Sequence, residues 1–202
     1  QQTRETAASE RELRGKERLM YECWGKCTCK RKDGKLKVTL EFYIKELLYD
    51  IANMAWVQGD LMDGVDYNHI KHLVQDVVED GNRDRVMRIV DLAHAEANEM
   101  LYPWSREEIT DTPLTLNDEP KKEDVLAINL NVPTSTSQGT INLILKLVHE
   151  WIVCRVLQDW LSITYPESSA VWAAKIEELR EAIRNAKNRS NWITRRKMFP
   201  SW

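Results

Sequence analysis

Apolar residues recur at helical spacing over most of this chain. Ile44, Leu47, Leu48, Ile51 and Ala55 share one face of a helix read over residues 39–58, with Thr39 as its cap and Gly59 and Gly64 bracketing its end. Asp66 stands where it can cap a second helix carrying Ile70, Leu73, Val74, Val77 and Val78, with Gly81 as the stop. Asn82 opens a third, whose inward stripe is Val86, Ile89, Val90, Ala93, Ala97 and Leu101, and Pro103 closes it. The longest apolar pattern starts at Thr140 and includes Ile144, Leu145, Val148, Trp151, Ile152, Leu157, Trp160 and Leu161. It is apolar around much of its circumference, the mark of a central helix. After the Tyr165-Pro166 break, residues 167–188 show a narrow stripe of Trp172, Ile176, Leu179 and Ile183, suited to packing on one neighbour.

The period changes from 3.6 to 2 at Leu126, Ile128, Leu130 and Val132, which predicts a strand over residues 125–132. A strand needs a mate. The candidates are the segment 36–40, where Leu36, Val38 and Leu40 alternate after an Asp33-Gly34 turn, or a neighbouring subunit. Residues 102–124 read as a long polar loop with three prolines, and loops of that length often contact a partner. Residues 133–139 form a Ser/Thr-rich connector. The expected organisation is a charged N-terminal arm and connector (1–38), a helical domain (39–188) with a loop and strand insertion at 102–139, and a C-terminal tail (189–202). The fold class that follows is mainly α: a helical bundle of four to five helices with a minor β strand or hairpin and extended terminal arms.

Composition sharpens this picture. Seven glycines and six prolines in 202 residues are too few for a sandwich or barrel. Eight tryptophans against two phenylalanines favour half-buried packing and interfaces, since indole pairs a large apolar face with one N–H. A net charge of −3 gives no global nucleic-acid signature. Its distribution says more: 30–37 and 187–197 are basic while 41–124 is mostly acidic, which allows head-to-tail self-association or one basic surface on an otherwise acidic body. There is no apolar run of about 18 residues and no visible signal peptide, so no membrane is expected. Four cysteines, three of them crowded together, point to a reducing compartment.

Candidate chemistry is thin. Cys23, Cys27 and Cys29 supply three thiols, whereas thiolate zinc sites need four ligands, so free thiols are the expectation. Asp66 with His69, and Asp91 with His94, have the i, i+3 spacing of metal-binding helical bundles, but Asp66 is better used as a cap. His149-Glu150 lacks the second histidine of a zinc-protease motif, because residue 153 is Val153. No catalytic residues, cofactor or metal are therefore expected. The tail is more suggestive: Arg189, Arg195, Arg196 and Lys197 are interleaved with Trp192, Phe199 and Trp202, without an acid. Such a segment can lie on an acidic neighbouring subunit with its aromatics as anchors, or track a nucleic-acid backbone. Subunit docking is the preferred use, with DNA contact second. The strand residues Leu126, Ile128 and Leu130 join the tail as predicted partner contacts.

The C-terminal pattern of strand, Ser/Thr loop and long Trp-rich helix, with the run LVHEWIVCRVLQDWLSITYPESSAVWAAKIEELREAI, resembles small structural proteins of tailed phages and prophages of gut bacteria. The arrangement over residues 39–202 is similar to the helical head–tail connector, or neck adaptor, proteins. That resemblance implies a non-enzymatic virion component that forms an oligomeric ring by arm and loop exchange, placed between portal and tail proteins. It also implies residence in the virion, and in the host cytoplasm during assembly. Two rivals stand beside it: a nucleic-acid-binding accessory protein using the tail and 30–37, and a metal-dependent helical enzyme using Asp66, His69, Asp91 and His94.

Overall fold

Val38, Leu40 and Phe42 alternate with polar residues, and in the computed structural model they lie on a strand rather than in the first turns of a helix. The structure describes residues 30–32, 35–62, 68–108 and 124–189. Strand β1 (Lys30–Lys32) pairs antiparallel with β2 (Lys35–Tyr43), and β2 pairs antiparallel with β3 (Val125–Pro133), giving the sheet order β1-β2-β3. The β2–β3 register runs from Lys35 opposite Pro133 to Tyr43 opposite Val125. Thr39 is therefore no helix cap: it sits mid-strand opposite Asn129, to whose Oδ1 its hydroxyl donates at 3.0 Å. The boundary expected between residues 38 and 39 falls inside β2, and the mate of the predicted strand comes from the same chain.

Helix α1 (Ile44–Asp60) follows β2 without a linker, and its first N–H donates to the carbonyl of Asp124 at the base of β3 (3.1 Å). Helix α2 (Asn68–Gln75) is short and passes into a 3-10 turn (Asp76–Val78) before α3 (Asp80–Met100). Asp66 lies outside the described residues. Gly81 does not stop a helix and Asn82 does not open one; both lie in the first turn of α3, where the Asn82 amide donates to the Asp76 carbonyl at 2.9 Å. Val74 and Val77 are buried, while Leu73, on α2 ahead of the 3-10 turn, is exposed.

The expected stop at Pro103 comes three residues late, since α3 ends at Met100. Leu101 and Trp104 then turn into the core, across a cis Tyr102-Pro103 bond. The Trp104 carbonyl accepts the Asn131 N–H at 2.7 Å, so the start of the supposed polar loop is fastened to the outer edge of β3. Residues 109–123 of that loop lie outside the described residues.

Helix α4 (Gln138–Thr164) begins two residues before the expected Thr140, capped by Ser137, whose hydroxyl accepts the Thr140 N–H at 3.2 Å. It is the central helix of the reading: Ile144, Val148, Trp151, Ile152, Leu157 and Leu161 are all buried, and it packs on α1, α2, α3 and α5 (Pro166–Asn188). Proline at the first turn of α5 costs no hydrogen bond there, which explains a helix starting at the break. At its far end the Lys187 ammonium donates to the carbonyls of Met100 and Tyr102, both at 2.7 Å, and so caps the C-terminus of α3. The described molecule is thus a mainly α bundle on a small antiparallel sheet with one shared apolar core. No helix among the described residues is long and apolar enough to cross a membrane.

Candidate interaction surface

The strand residues named as partner contacts fail that role. Leu126, Ile128 and Leu130 are 4%, 2% and 1% exposed, because the face they share with Val38, Leu40 and Phe42 is the inner face of the sheet. Their side chains serve this chain's own core. Arg189 is exposed at the end of α5, next to a shallow depression of about 450 Å³ lined with Ser135, Ser137, Leu143 and Ala186. The other tail residues, Trp192, Arg195, Arg196, Lys197, Phe199 and Trp202, lie outside the described residues, as do Cys23, Cys27 and Cys29. His69 lies exposed on α2, and Asp91 and His94 belong to α3. Among the described residues no group of three His, Cys, Asp or Glu side chains gathers around a common point that could hold a metal.

Two polar clusters join the helices. His149 on α4 is 2.7 Å from the Asp50 carboxylate on α1, beside Lys45, Glu46 and Tyr49. The pair ties the two helices together, and among the described residues lining this hollow the only hydroxyl is a tyrosine phenol. On the other side of α4, Lys175 donates to Glu150 at 2.5 Å and stands 5.4 Å from the centre of the Trp172 ring. Partial burial works against the Lys175 ammonium and is the largest single influence, yet the bond to Glu150 and the interactions with Cys154 and the Glu150 charge together outweigh it, and its pKa is raised. Cys154 lies one turn from Glu150, fully buried, and burial pushes its thiol up to about 11. A thiol that stays protonated at neutral pH is a poor nucleophile. Neither cluster combines an activated nucleophile with a base and an accessible cleft.

The surface that stands out is the outer face of α1. Tyr49 is 71% exposed, Trp56 57% and Val57 53%, and Leu61 follows just beyond the helix. Asn53 fills the turn between the aromatics and is also exposed. Helix α1 is thus apolar on both sides: Ile44, Leu47, Leu48, Ile51 and Ala55 enter the core while the aromatics face water. Sequence reasoning found the inner stripe and passed over the outer one, although Tyr49 and Trp56 at i, i+7 were its signal.

The end of this face is held in place by α2. A side chain at Gly59 would meet the Gln75 side chain at 2.7 Å, so the glycine permits the close approach of the two helices. The Gln75 amide then reaches the Trp56 carbonyl at 3.4 Å, and Lys71 pairs with Asp60 at 2.8 Å. The hydrogen bond from Lys71 holds the Asp60 carboxyl below its ordinary range. Comparison with models of protein families, with curated proteins and with solved structures finds no match to this chain.

Proposed function

We propose that this chain is a non-catalytic, self-associating structural protein, a ring-forming connector of the kind that joins portal and tail in phage necks. The observation that carries the reading is the exposed aromatic face on α1, a helix anchored in the core along its opposite side. Large apolar side chains left exposed together on a rigid element are a mark of a protein–protein contact. The basic aromatic tail and the acidic 41–124 segment support it as a second pair of complementary surfaces. Portal and tail proteins are the proposed neighbours, with the tail docking on an adjacent subunit.

The test is the mass of the purified full chain by light scattering at low and high salt. A discrete ring-sized oligomer is expected. A strict monomer at every salt overturns the reading. Tight DNA binding by that monomer, falling steeply with salt, would install the nucleic-acid alternative in its place.

A further inference from the structure

The outer face of α1 has a symmetry of its own. Tyr49 and Trp56 lie at equal distances from the midpoint between Ala52 and Asn53, and Lys45 and Asp60 share that same midpoint. All four side chains are exposed, and the helix they ride on is 17 residues long, about 25 Å at 1.5 Å per residue. We propose that α1 packs antiparallel against α1 of a second copy of this chain, about a two-fold axis beside Ala52 and Asn53.

In that arrangement Tyr49 meets the partner's Trp56, and Trp56 meets the partner's Tyr49. Each aromatic pair buries two of the most exposed apolar side chains on the surface, and aromatic pairs add to simple area burial. Lys45 at the start of α1 faces the partner's Asp60 at the end, and symmetry repeats the pair. A parallel arrangement would set lysine on lysine and aspartate on aspartate, so charge selects the antiparallel one. The helix dipoles agree, since each N-terminus then lies beside the partner's C-terminus. Short residues at the centre, Ala52 and Asn53, let the axes approach to roughly 8–10 Å. An amide carries both donors and an acceptor, so Asn53 can pair with the partner's Asn53 on the axis.

This self-complementarity is what commits the face to a second copy. A two-fold contact places the same patch on both sides, and a partner of different sequence would not need a patch whose one half complements its other half. Asp60 keeps about half its side chain exposed while bound to Lys71, which leaves room for a second cation. The contact does not rest on the neck reading, because a two-fold pair can form with or without ring closure.

The experiment uses the full chain with Tyr49→Lys and Trp56→Glu as separate variants, followed by sedimentation at matched concentrations. Both positions are exposed, so circular dichroism should match the parent. Each variant is expected to weaken self-association at least tenfold. Mixing the two should restore a one-to-one dimer, since the new charges face each other on one side of the axis while the native Trp–Tyr pair survives on the other. As a second readout, Asn53→Cys in a chain with Cys23, Cys27 and Cys29 changed to serine should form a covalent dimer under mild oxidation.

A monomeric parent overturns the proposal, whether the face is covered by the chain's own arm or by some other protein. So does a parent oligomer untouched by both variants, or a mixture that stays dissociated. A dimer that grows no further would sustain this contact and overturn the ring. A ring that survives both substitutions would overturn this contact and leave the ring to the basic tail and the acidic 41–124 segment.

Discussion

Cys154 shows how one buried side chain links local environment to global behaviour. Its thiol lies in the core beside Glu150 and Lys175, and burial raises it from 9.0 to about 11. A thiol with a raised folded pKa binds its proton more tightly in the native state. Its contribution to stability is whole below pH 9 and is lost as pH rises toward about 11. The urea midpoint should therefore fall between pH 9 and 11. Alkylation mapped to Cys154 should be slow in the native protein at pH 8 and fast once urea unfolds it. Rapid native labelling would mean that α4 opens locally or that the thiol is accessible. The burial of this residue was legible in the sequence, because it closes the apolar run Trp151–Cys154 within the helix that is apolar around much of its circumference. The exposure of Tyr49 and Trp56 had its signal too, their i, i+7 spacing off the inner stripe, but a search for core-facing residues leaves such positions unexplained.

Among the elements, boundaries diverged from expectation where two periods overlap. Leu40, Phe42 and Ile44 fit an alternating strand, while Ile44, Leu47, Leu48 and Ile51 fit a helix, and Ile44 belongs to both series. Pairing with β3 decides the matter, and that is a contact between segments about 90 positions apart which no local window contains. Gly81 misled for a different reason. Glycine is tolerated in a first turn, where tertiary packing outweighs its propensity, and nothing lies within 4 Å of the place its side chain would occupy. The length and central position of α4 were legible because its apolar surface is too broad for any peripheral helix.

The junction between α3 and α5 rests on Lys187, whose pKa is lowered by desolvation and by the nearby Arg184. Its two bonds to backbone carbonyls offset part of that cost. Replacing Lys187 with methionine keeps the stem but removes both bonds, and should lower stability by about 1–2 kcal/mol in urea denaturation. An unchanged midpoint would show that water satisfies the Met100 and Tyr102 carbonyls equally well.

At the scale of the molecule, the sheet joins the start of the described chain to a strand about 90 residues further on. β2 supplies Val38, Leu40 and Phe42, β3 supplies Leu126, Ile128, Leu130 and Val132, and α1 and α4 run from the ends of those strands. A chain beginning at Ile44 would keep every described helix and lose β2. Its β3 would then present an open edge and a bare apolar face, the conditions for edge-to-edge aggregation. Such a truncation is expected to appear in the insoluble fraction or to scatter light strongly. A soluble product with parental helix content would mean that the helices alone suffice. The contrast with the intact chain is informative: Leu126, Ile128 and Leu130 become sticky toward other molecules only when their own partner is removed.

The same long-range pairing sets a schedule for synthesis. Thr39 and Asn129 lie 90 residues apart, and at about 5–20 residues per second a ribosome takes roughly 5–20 s to travel between them. Throughout that interval Val38, Leu40 and Phe42 have left the ribosome or are leaving it, with no strand to receive them. Lys35 and Lys37, flanking the apolar positions at the start of β2, then act as gatekeepers that discourage pairing with other nascent chains. The basic cluster at 30–37 would in this way also serve as protection for a strand that must wait.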